Sequence, residues 1–127
     1  MSWSLRRYPG RMSAKSRIRV ARVYDDPCLD DGRRVLVDRL WPRGFRKDDP
    51  RVGTWFKDVA PSKDLREWYN HQPERFDEFA ARYSKELQGS ELLNELCKLT
   101  RSGVVTLVTA ARHVEGSHAA VLAALLG

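Results

Sequence analysis

The chain has 127 residues, of which 42% are apolar and 31% are charged, and this composition is typical of one soluble globular domain. Its two longest stretches without Lys, Arg, Asp or Glu, 102–111 and 116–127, are ten and twelve residues long, against the roughly 20 that a membrane-spanning helix needs. These values exclude a transmembrane protein and allow for one hydrophobic core.

The start of the chain and its cysteines indicate a cytoplasmic protein. Residues 1–17 contain no continuous apolar stretch of the roughly 7 to 15 residues that an export signal requires. Cys28 and Cys97 are too few and too far apart for a disulfide framework or a zinc site. We therefore expect two free structural thiols, no bound metal and no cofactor.

Most of the positive charge lies at the start of the chain. The formal net charge is +6, which by itself suggests binding to nucleic-acid phosphates. Residues 1–17 contribute +5 of that charge and hold no acidic residue, so residues 18–127 are nearly neutral. The Pro9-Gly10 pair and the lack of apolar periodicity predict a flexible basic arm over 1–17, followed by a single domain over 18–127. Met12 is an alternative initiation site.

The first half of the chain contains strand patterns. Residues 18–24 alternate as a strand does, and their arginines place this strand near the edge of a sheet. Residues 33–41 form the second predicted strand, and one of its faces is formed by Val35, Val37, Arg39 and Trp41. Two prolines and a glycine mark residues 42–50 as a loop. A short extended segment is expected at 53–59.

The second half of the chain alternates helices with one buried strand. Ser62 is suited to cap a helix over 62–70, and apolar residues at helical spacing predict further helices at 73–87 and 90–100. The β-branched apolar run at 104–111 is typical of a strand covered on both faces in a parallel sheet. An Ala- and Leu-rich helix closes the chain at 117–126. The predicted fold is a single small α/β domain with helices packed on a mixed or parallel sheet.

The turn at 112–118, between the buried strand and the last helix, is the first candidate site. Ligands of open α/β sheets bind at the carboxyl ends of strands, and a helix N-terminus attracts anions. Arg112 would add a cation to such a site, and His118 would add a proton carrier. The alternative is an ordinary capped helix whose Arg112 and His118 face solvent.

A second candidate cluster follows the second strand, at 38–44. Arg39 is expected to point toward packed surroundings, where a guanidinium needs a carboxylate, a phosphate or an aromatic face. The candidate substrate-binding residues in this cluster are therefore Arg39, Trp41 and Arg43. A structural ion pair would satisfy Arg39 equally well, with a partner among Asp38, Asp58 and Glu86.

Residues 55–71 hold the third candidate cluster. Lys57 and Asp58 are candidate binding residues beside Trp55 and Trp68, whose rings suit stacking on a planar ligand or a cation. His71 belongs to the residue type best suited to proton transfer near neutral pH, so it joins His118 as a candidate catalytic residue. The alternatives are core packing for the two tryptophans and a helix C-cap role for His71.

The motifs of several catalytic classes are absent. The chain contains no GxxxxGK[ST], GxGxxG, HExxH, GxSxG or CxxC sequence. Nucleotide hydrolysis, dinucleotide oxidoreduction, zinc proteolysis and serine esterase chemistry therefore lack their usual sequence support. The three histidines show neither HxH nor HxxxH spacing, which argues against a metal site.

Four segments carry a resemblance to a known family. They are RVYDDPCLDDGRRVLVDRLWPRGF at 22–45, WFKDVAPSKDLREWYNH at 55–71, PERFDEFAARYSKEL at 73–87 and VTLVTAARHVEGSHAAVL at 105–122. On these segments the chain resembles the domain-of-unknown-function 488 (DUF488) family, in its short YeaO-like branch. The resemblance implies a small α/β fold and names no reaction. Longer relatives carry a Cys-His-Arg element where this chain has Ser117-His118-Ala119, so thiol chemistry is not expected, while the anion-site prediction is unchanged.

Three functions remain open from the sequence. The first is an enzyme or a binding protein for a small anionic metabolite, with a polar pocket at the strand ends. Its expected lining meets the turn at 112–118 and consists of Arg39, Trp41, Arg43, Lys57, Asp58 and Arg112. The second is a nucleic-acid-associated protein that uses the basic arm and the loop at 43–51. The third is an interaction protein without catalysis, and no membrane partner is expected for any of them.

Overall fold

The apolar run late in the chain forms the centre of the sheet. The computed structural model describes residues 18–126, and the predicted arm over 1–17 lies outside them. The strands are β1 (Ile18–Arg22), β2 (Arg33–Leu36), β3 (Thr54–Trp55) and β4 (Val105–Thr109). Every side chain of β4 is buried, as expected for a strand covered on both faces.

The sheet is parallel throughout, in the order β1-β4-β2-β3. Leu107 at the middle of β4 lies opposite Val20 of β1 on one side and opposite Val35 of β2 on the other. Among the described strands, the one predicted at 18–24 lies at an edge of the sheet, as expected, and it ends at Arg22. The α/β prediction is confirmed, and of its two alternatives the parallel sheet is the observed one.

Residues 18–126 contain four α-helices, in the order that the sequence predicts. They are α1 (Lys63–Tyr69), α2 (Phe76–Glu86), α3 (Glu91–Ser102) and α4 (His118–Leu126). The hydroxyl oxygens of Ser62 and Ser90 accept the backbone N–H groups of Leu65 and Leu93, each at 3.2 Å, because a serine at this position satisfies an otherwise unpaired donor. None of the helices within residues 18–126 is long and apolar enough to cross a membrane.

The two faces of the sheet are covered differently. The first face packs against the helices, where Val35, Val37 and Leu107 meet Tyr83 and Leu122. The second face carries a smaller apolar cluster that is covered by the loop after β2, with core residues Val23, Leu36, Val52 and Val108 and the flanking Trp41 and Phe45. The loop face is thus the more open side of the domain.

The second strand is shorter than its alternating sequence predicts. It ends at Leu36, so the alternation does not continue to Trp41, which packs on the loop face rather than beside Val35 and Val37. After Val37 the backbone forms a hydrogen bond with a side chain: the Asp38 carbonyl accepts the indole N–H of Trp55 at 2.8 Å. The extended segment expected at 53–59 is likewise limited to β3, since Lys57–Val59 form a 3-10 turn.

Candidate functional site

The carboxyl ends of the parallel strands meet at one edge of the sheet, and Asp38 lies at that edge. Its carboxylate accepts the hydroxyl of Thr109 at 2.7 Å and the backbone N–H of Ala110 at 2.8 Å. His118, the first residue of α4, places its Nε2 3.3 Å from the same carboxylate and 2.9 Å from the carbonyl oxygen of Val37. Asp38 and His118 therefore join the ends of β2 and β4 to the start of α4.

The hydrogen bonds determine which nitrogen of His118 carries a proton. A carbonyl oxygen only accepts, so Nε2 is the donor toward Val37. Burial raises the pKa of Asp38, but the hydrogen bond and charge of His118, with the Ala110 and Thr109 donors, hold that pKa below its ordinary value. Asp38 is thus an ionised acceptor whose oxygens are used within the protein.

Tyr83 closes the helix side of this cluster. Its ring packs edge-on against His118, with 6.1 Å between ring centroids, and its hydroxyl donates to the carbonyl of Val59. Burial raises the pKa of Tyr83 far above its ordinary value, and the charges of Glu86 and Asp38 raise it further. The phenol remains neutral and serves as a packing and hydrogen-bonding group.

Arg39 is directed toward the segment that precedes α1. One terminal nitrogen of its guanidinium donates to the carbonyls of Ala60 and Pro61, at 3.4 and 3.5 Å. Its Nε is buried and has no hydrogen-bond partner within residues 18–126. The ion pair between Arg39 and a carboxylate, which the sequence left open as an alternative, is wrong for all three of its candidate partners within residues 18–126. Asp38 bonds to His118, and Asp58 is exposed. Glu86 accepts the N–H and the hydroxyl of Ser62.

An open groove of about 610 Å³ lies on the loop face, lined by Trp41, Lys47, Gly53 and Trp55. The Trp41 and Trp55 rings meet edge to face, with 5.3 Å between centroids and 68° between planes. The Trp41 indole N–H donates to the Phe45 carbonyl at 2.9 Å, as that of Trp55 does to Asp38. Because both indole donors are engaged, the two tryptophans present ring faces and edges to the groove rather than hydrogen-bond donors.

Gly53 allows the loop to approach β2 at the base of this groove. Its φ is +76°, and a Cβ at this position would lie 2.1 Å from the carbonyl oxygen of Arg34. Both the backbone conformation and the close contact require glycine. The chain is thereby held against β2 just before it enters β3, which carries Trp55.

The charge around the groove is mainly positive and partly unpaired. Within residues 18–126 the loop cations Arg46 and Arg51 pair with Asp48 and Asp49, whereas neither Lys47 nor Arg43 has a carboxylate partner. The Lys57 ammonium lies 5.4 Å from the Trp55 ring centroid. The aromatic walls are thus bordered by lysines.

The residues proposed from the sequence are divided between several places. Trp41 lines the groove and Lys57 contacts its Trp55 wall, while Arg43 is exposed on the loop. Two predicted binding residues are exposed elsewhere, Asp58 in the turn after β3 and Arg112 after β4. His71 is exposed just after α1, with φ of +54° and its ring 6.4 Å from that of Tyr69.

The sequence does not indicate that Lys47 or Gly53 belongs to a site, because an irregular loop has no periodicity that predicts which of its residues line a groove. The sequence predicts that Trp55 contacts a ligand or packs in the core, and its position two residues after the loop glycine Gly53 is the signal that indicates a groove wall. In the described part of the chain, no three His, Cys, Asp or Glu side chains cluster as metal ligands would.

Comparison with known proteins gives the family of the chain. The model of the inactive DUF488-N3 subclade matches residues 17–127. The chain belongs to the DUF488 family. Within DUF488, an uncharacterized protein of Mycobacterium tuberculosis H37Rv is 70% identical over 115 residues, which cover 91% of this chain and 98% of the relative. The uncharacterized protein YeaO of Escherichia coli K12 is 36% identical over 107 residues, covering 84% of this chain and 93% of YeaO. These matches support a YeaO-like member of DUF488, and no solved structure matches it significantly.

Proposed function

We propose that this DUF488 protein binds a small anionic metabolite in the groove between Trp41 and Trp55 and catalyses no reaction. The observation that carries the proposal is the groove itself, which combines two anchored aromatic walls with Lys47, a cation that has no carboxylate partner within residues 18–126. A concave site of a few hundred cubic ångströms with a small number of polar groups is the usual form of a small-molecule site.

The sign of the charge favours an anion. Lys47 lines the groove, Lys57 lies over one of its walls, and Arg43 is exposed two residues after Trp41. A carboxylate or phosphate in the groove would gain from these cations, because a partly enclosed site screens the attraction less than bulk water does. A cationic ligand would be repelled by the same side chains.

The bonding of Asp38 supports binding without catalysis. A general base needs a free nitrogen or oxygen within hydrogen-bond reach of the substrate. The Asp38 oxygens accept from Thr109, Ala110 and His118, so this carboxylate is already engaged within the protein. The name of the matching subclade, which describes its members as inactive, agrees with this assignment.

The proposal is tested by equilibrium dialysis of the full chain against a bacterial metabolite extract, with retained anions identified by mass spectrometry. We compare the native protein with the Lys47→Ala/Lys57→Ala variant. The matched control is Lys63→Ala/Lys98→Ala, which removes the same charge from exposed sites on α1 and α3. Circular dichroism verifies that all three proteins are folded.

We expect the native and control proteins to enrich the same small anions and the groove variant to lose most of that enrichment. Equal enrichment by all three proteins would place the binding outside the groove and overturn the proposal. Absence of any enriched anion with the native protein would also overturn it.

A further inference from the structure

From the two tryptophan walls of the groove, Trp41 and Trp55, we infer that the ligand contains a flat aromatic ring. The inference rests on the proposed function and specifies its ligand: an aromatic carboxylate or phosphate whose ring lies in the corner between Trp41 and Trp55 and whose anionic group faces Lys47. The geometry of the two rings, their exposure and their hydrogen bonds support this assignment independently of the charge.

The two indoles form a corner rather than a flat wall. Their planes meet at 68° with 5.3 Å between centroids, so a third ring stacked on one indole directs its edge toward the face of the other. Stacked and edge-to-face contacts are the two arrangements that aromatic pairs prefer. A flat ring in this corner makes both at once, which a saturated ring of similar size does not.

The corner is held rigidly before any ligand arrives. Each indole is anchored through its N–H to a backbone carbonyl, Trp41 to Phe45 and Trp55 to Asp38. The Asp38 backbone is in turn held because its carboxylate accepts from Thr109, Ala110 and His118. A preorganised wall loses little side-chain freedom on binding, and this favours a rigid ligand over a flexible aliphatic acid.

The exposure of Trp55 also supports an aromatic ligand. Trp55 is 39% exposed on a strand of only two residues, at the carboxyl edge where ligands of parallel sheets bind. Its indole N–H is occupied, so the exposed part, beside the Lys57 ammonium that lies over the ring, offers aromatic surface rather than a donor to a ligand. A sugar or another strongly hydrated ligand would find few hydrogen-bond partners there.

Calorimetric titration of the full chain with three matched probes tests the inference. The probes are 2-naphthoate, its saturated analogue decahydro-2-naphthoate, and uncharged 2-naphthamide. We expect 2-naphthoate to bind about threefold to tenfold more tightly than decahydro-2-naphthoate, since aromatic contacts contribute by that factor beyond buried area. We also expect it to bind more tightly than 2-naphthamide, and Lys47→Met to remove that second preference.

Two variants test whether the aromatic rings of Trp41 and Trp55 cause the preference for an aromatic ligand. Trp55→Leu and Trp41→Leu keep an apolar wall but remove the π surface, and we expect each to abolish the preference for the aromatic carboxylate. The control is Trp68→Leu, because Trp68 packs between Arg75 and Arg82 on the helix side. Should either groove variant fail to fold, the comparison of probes on the native chain still decides.

The outcomes distinguish this inference from the proposed function. Equal affinity for the aromatic and saturated carboxylates, with both weakened by Lys47→Met, would overturn the aromatic assignment while supporting an anion groove. Equal affinity for 2-naphthoate and 2-naphthamide would overturn the anionic part of both proposals. Failure of both carboxylates to bind the native chain would overturn this inference, and the metabolite enrichment would then decide the proposed function alone.

Discussion

Asp38 is the residue on which most of the strand-end structure depends. Its carboxylate receives hydrogen bonds from β4, from the residue after β4 and from His118 of α4, while its backbone carbonyl receives the Trp55 indole. One short side chain thus satisfies donors from separate parts of the chain. A residue with so many buried partners is expected to be costly to replace.

We expect Asp38→Ala to lower the free energy of unfolding by about 3 kcal/mol, because removal of the carboxylate leaves the Ala110 N–H, the Thr109 hydroxyl and His118 without their acceptor. Urea denaturation measures the loss. The control is Asp58→Ala, where an exposed carboxylate is removed, and the expected loss is below about 0.5 kcal/mol. Equal losses for the two variants would contradict the role assigned to Asp38.

The lowered pKa of Asp38 predicts a pH dependence of stability. Because this pKa is lower in the folded than in the unfolded protein, the unfolded chain binds more protons between the two values, and stability falls as the pH falls through that range. The contribution of Asp38 is therefore complete above about pH 4 and is lost below it.

Urea unfolding of the native protein and of Asp38→Asn, at neutral pH and at about pH 3, measures that contribution. Other carboxylates whose pKa is lowered, Asp31 and Asp49, are present in both proteins and cancel in the difference. We expect the difference in stability to shrink at the lower pH. A difference that stays constant would show that the ionised form of Asp38 is not what stabilises the fold.

At the scale of elements, the loop between β2 and β3 determines whether the groove exists. It covers the second face of the sheet through Trp41 and Phe45 and then returns to β2 at Gly53. β3 has only two residues, so its position depends on this approach more than on strand pairing.

We expect Gly53→Ala to destabilise the protein by at least about 3 kcal/mol, since the new Cβ would lie 2.1 Å from the Arg34 carbonyl oxygen. Gly44→Ala is the matched control: Gly44 also has a positive φ, of +86°, but nothing lies within 4 Å of its added Cβ. Only backbone strain of about 1 kcal/mol is expected there. Thermal and urea unfolding of both variants measure the difference, and similar losses would rule out the close contact as the constraint.

In the molecule as a whole, most of the positive charge precedes the residues that the family model matches. Residues 1–17 carry +5 of the net charge of +6, and the family model matches from residue 17 onward. The residues that line the groove all belong to the matched part of the chain.

We expect deletion of residues 1–17 to change the melting temperature by less than about 5 °C, because a polar segment with few apolar residues contributes little buried surface. Differential scanning calorimetry of the full and shortened chains measures this change. The same deletion should abolish binding to duplex DNA at low salt. Retained DNA binding with a steep salt dependence would favour the nucleic-acid alternative over the metabolite groove.

The sequence alone was sufficient for the elements whose pattern is local. The run at 104–111 predicted a strand covered on both faces, and Ser62 and Ser90 marked helix starts, because burial periodicity and capping depend on residues that are neighbours in the chain. Pro73 is the first residue of the helix predicted at 73–87, and in the structure it begins a 3-10 turn just before α2. The family resemblance over four segments was likewise available from the sequence, and it is confirmed.

Tertiary structure alone decided where the alternation of β2 ends, what Arg39 contacts and which loop residues line the groove. Trp41 packs on the loop face against Trp55, and the indole of Trp55 bonds to the Asp38 carbonyl 17 positions away in the chain. Arg39 donates to two backbone carbonyls instead of a carboxylate, and its Nε has no partner within residues 18–126. Lys47, in an irregular loop, lines the same groove as Trp41 and Trp55. The contacts of Arg39 and of the Trp55 indole join residues about 20 positions apart, and Lys47 belongs to a loop without periodicity. No local propensity or spacing encodes such distances, because they are determined by how the whole sheet and its covering loop pack.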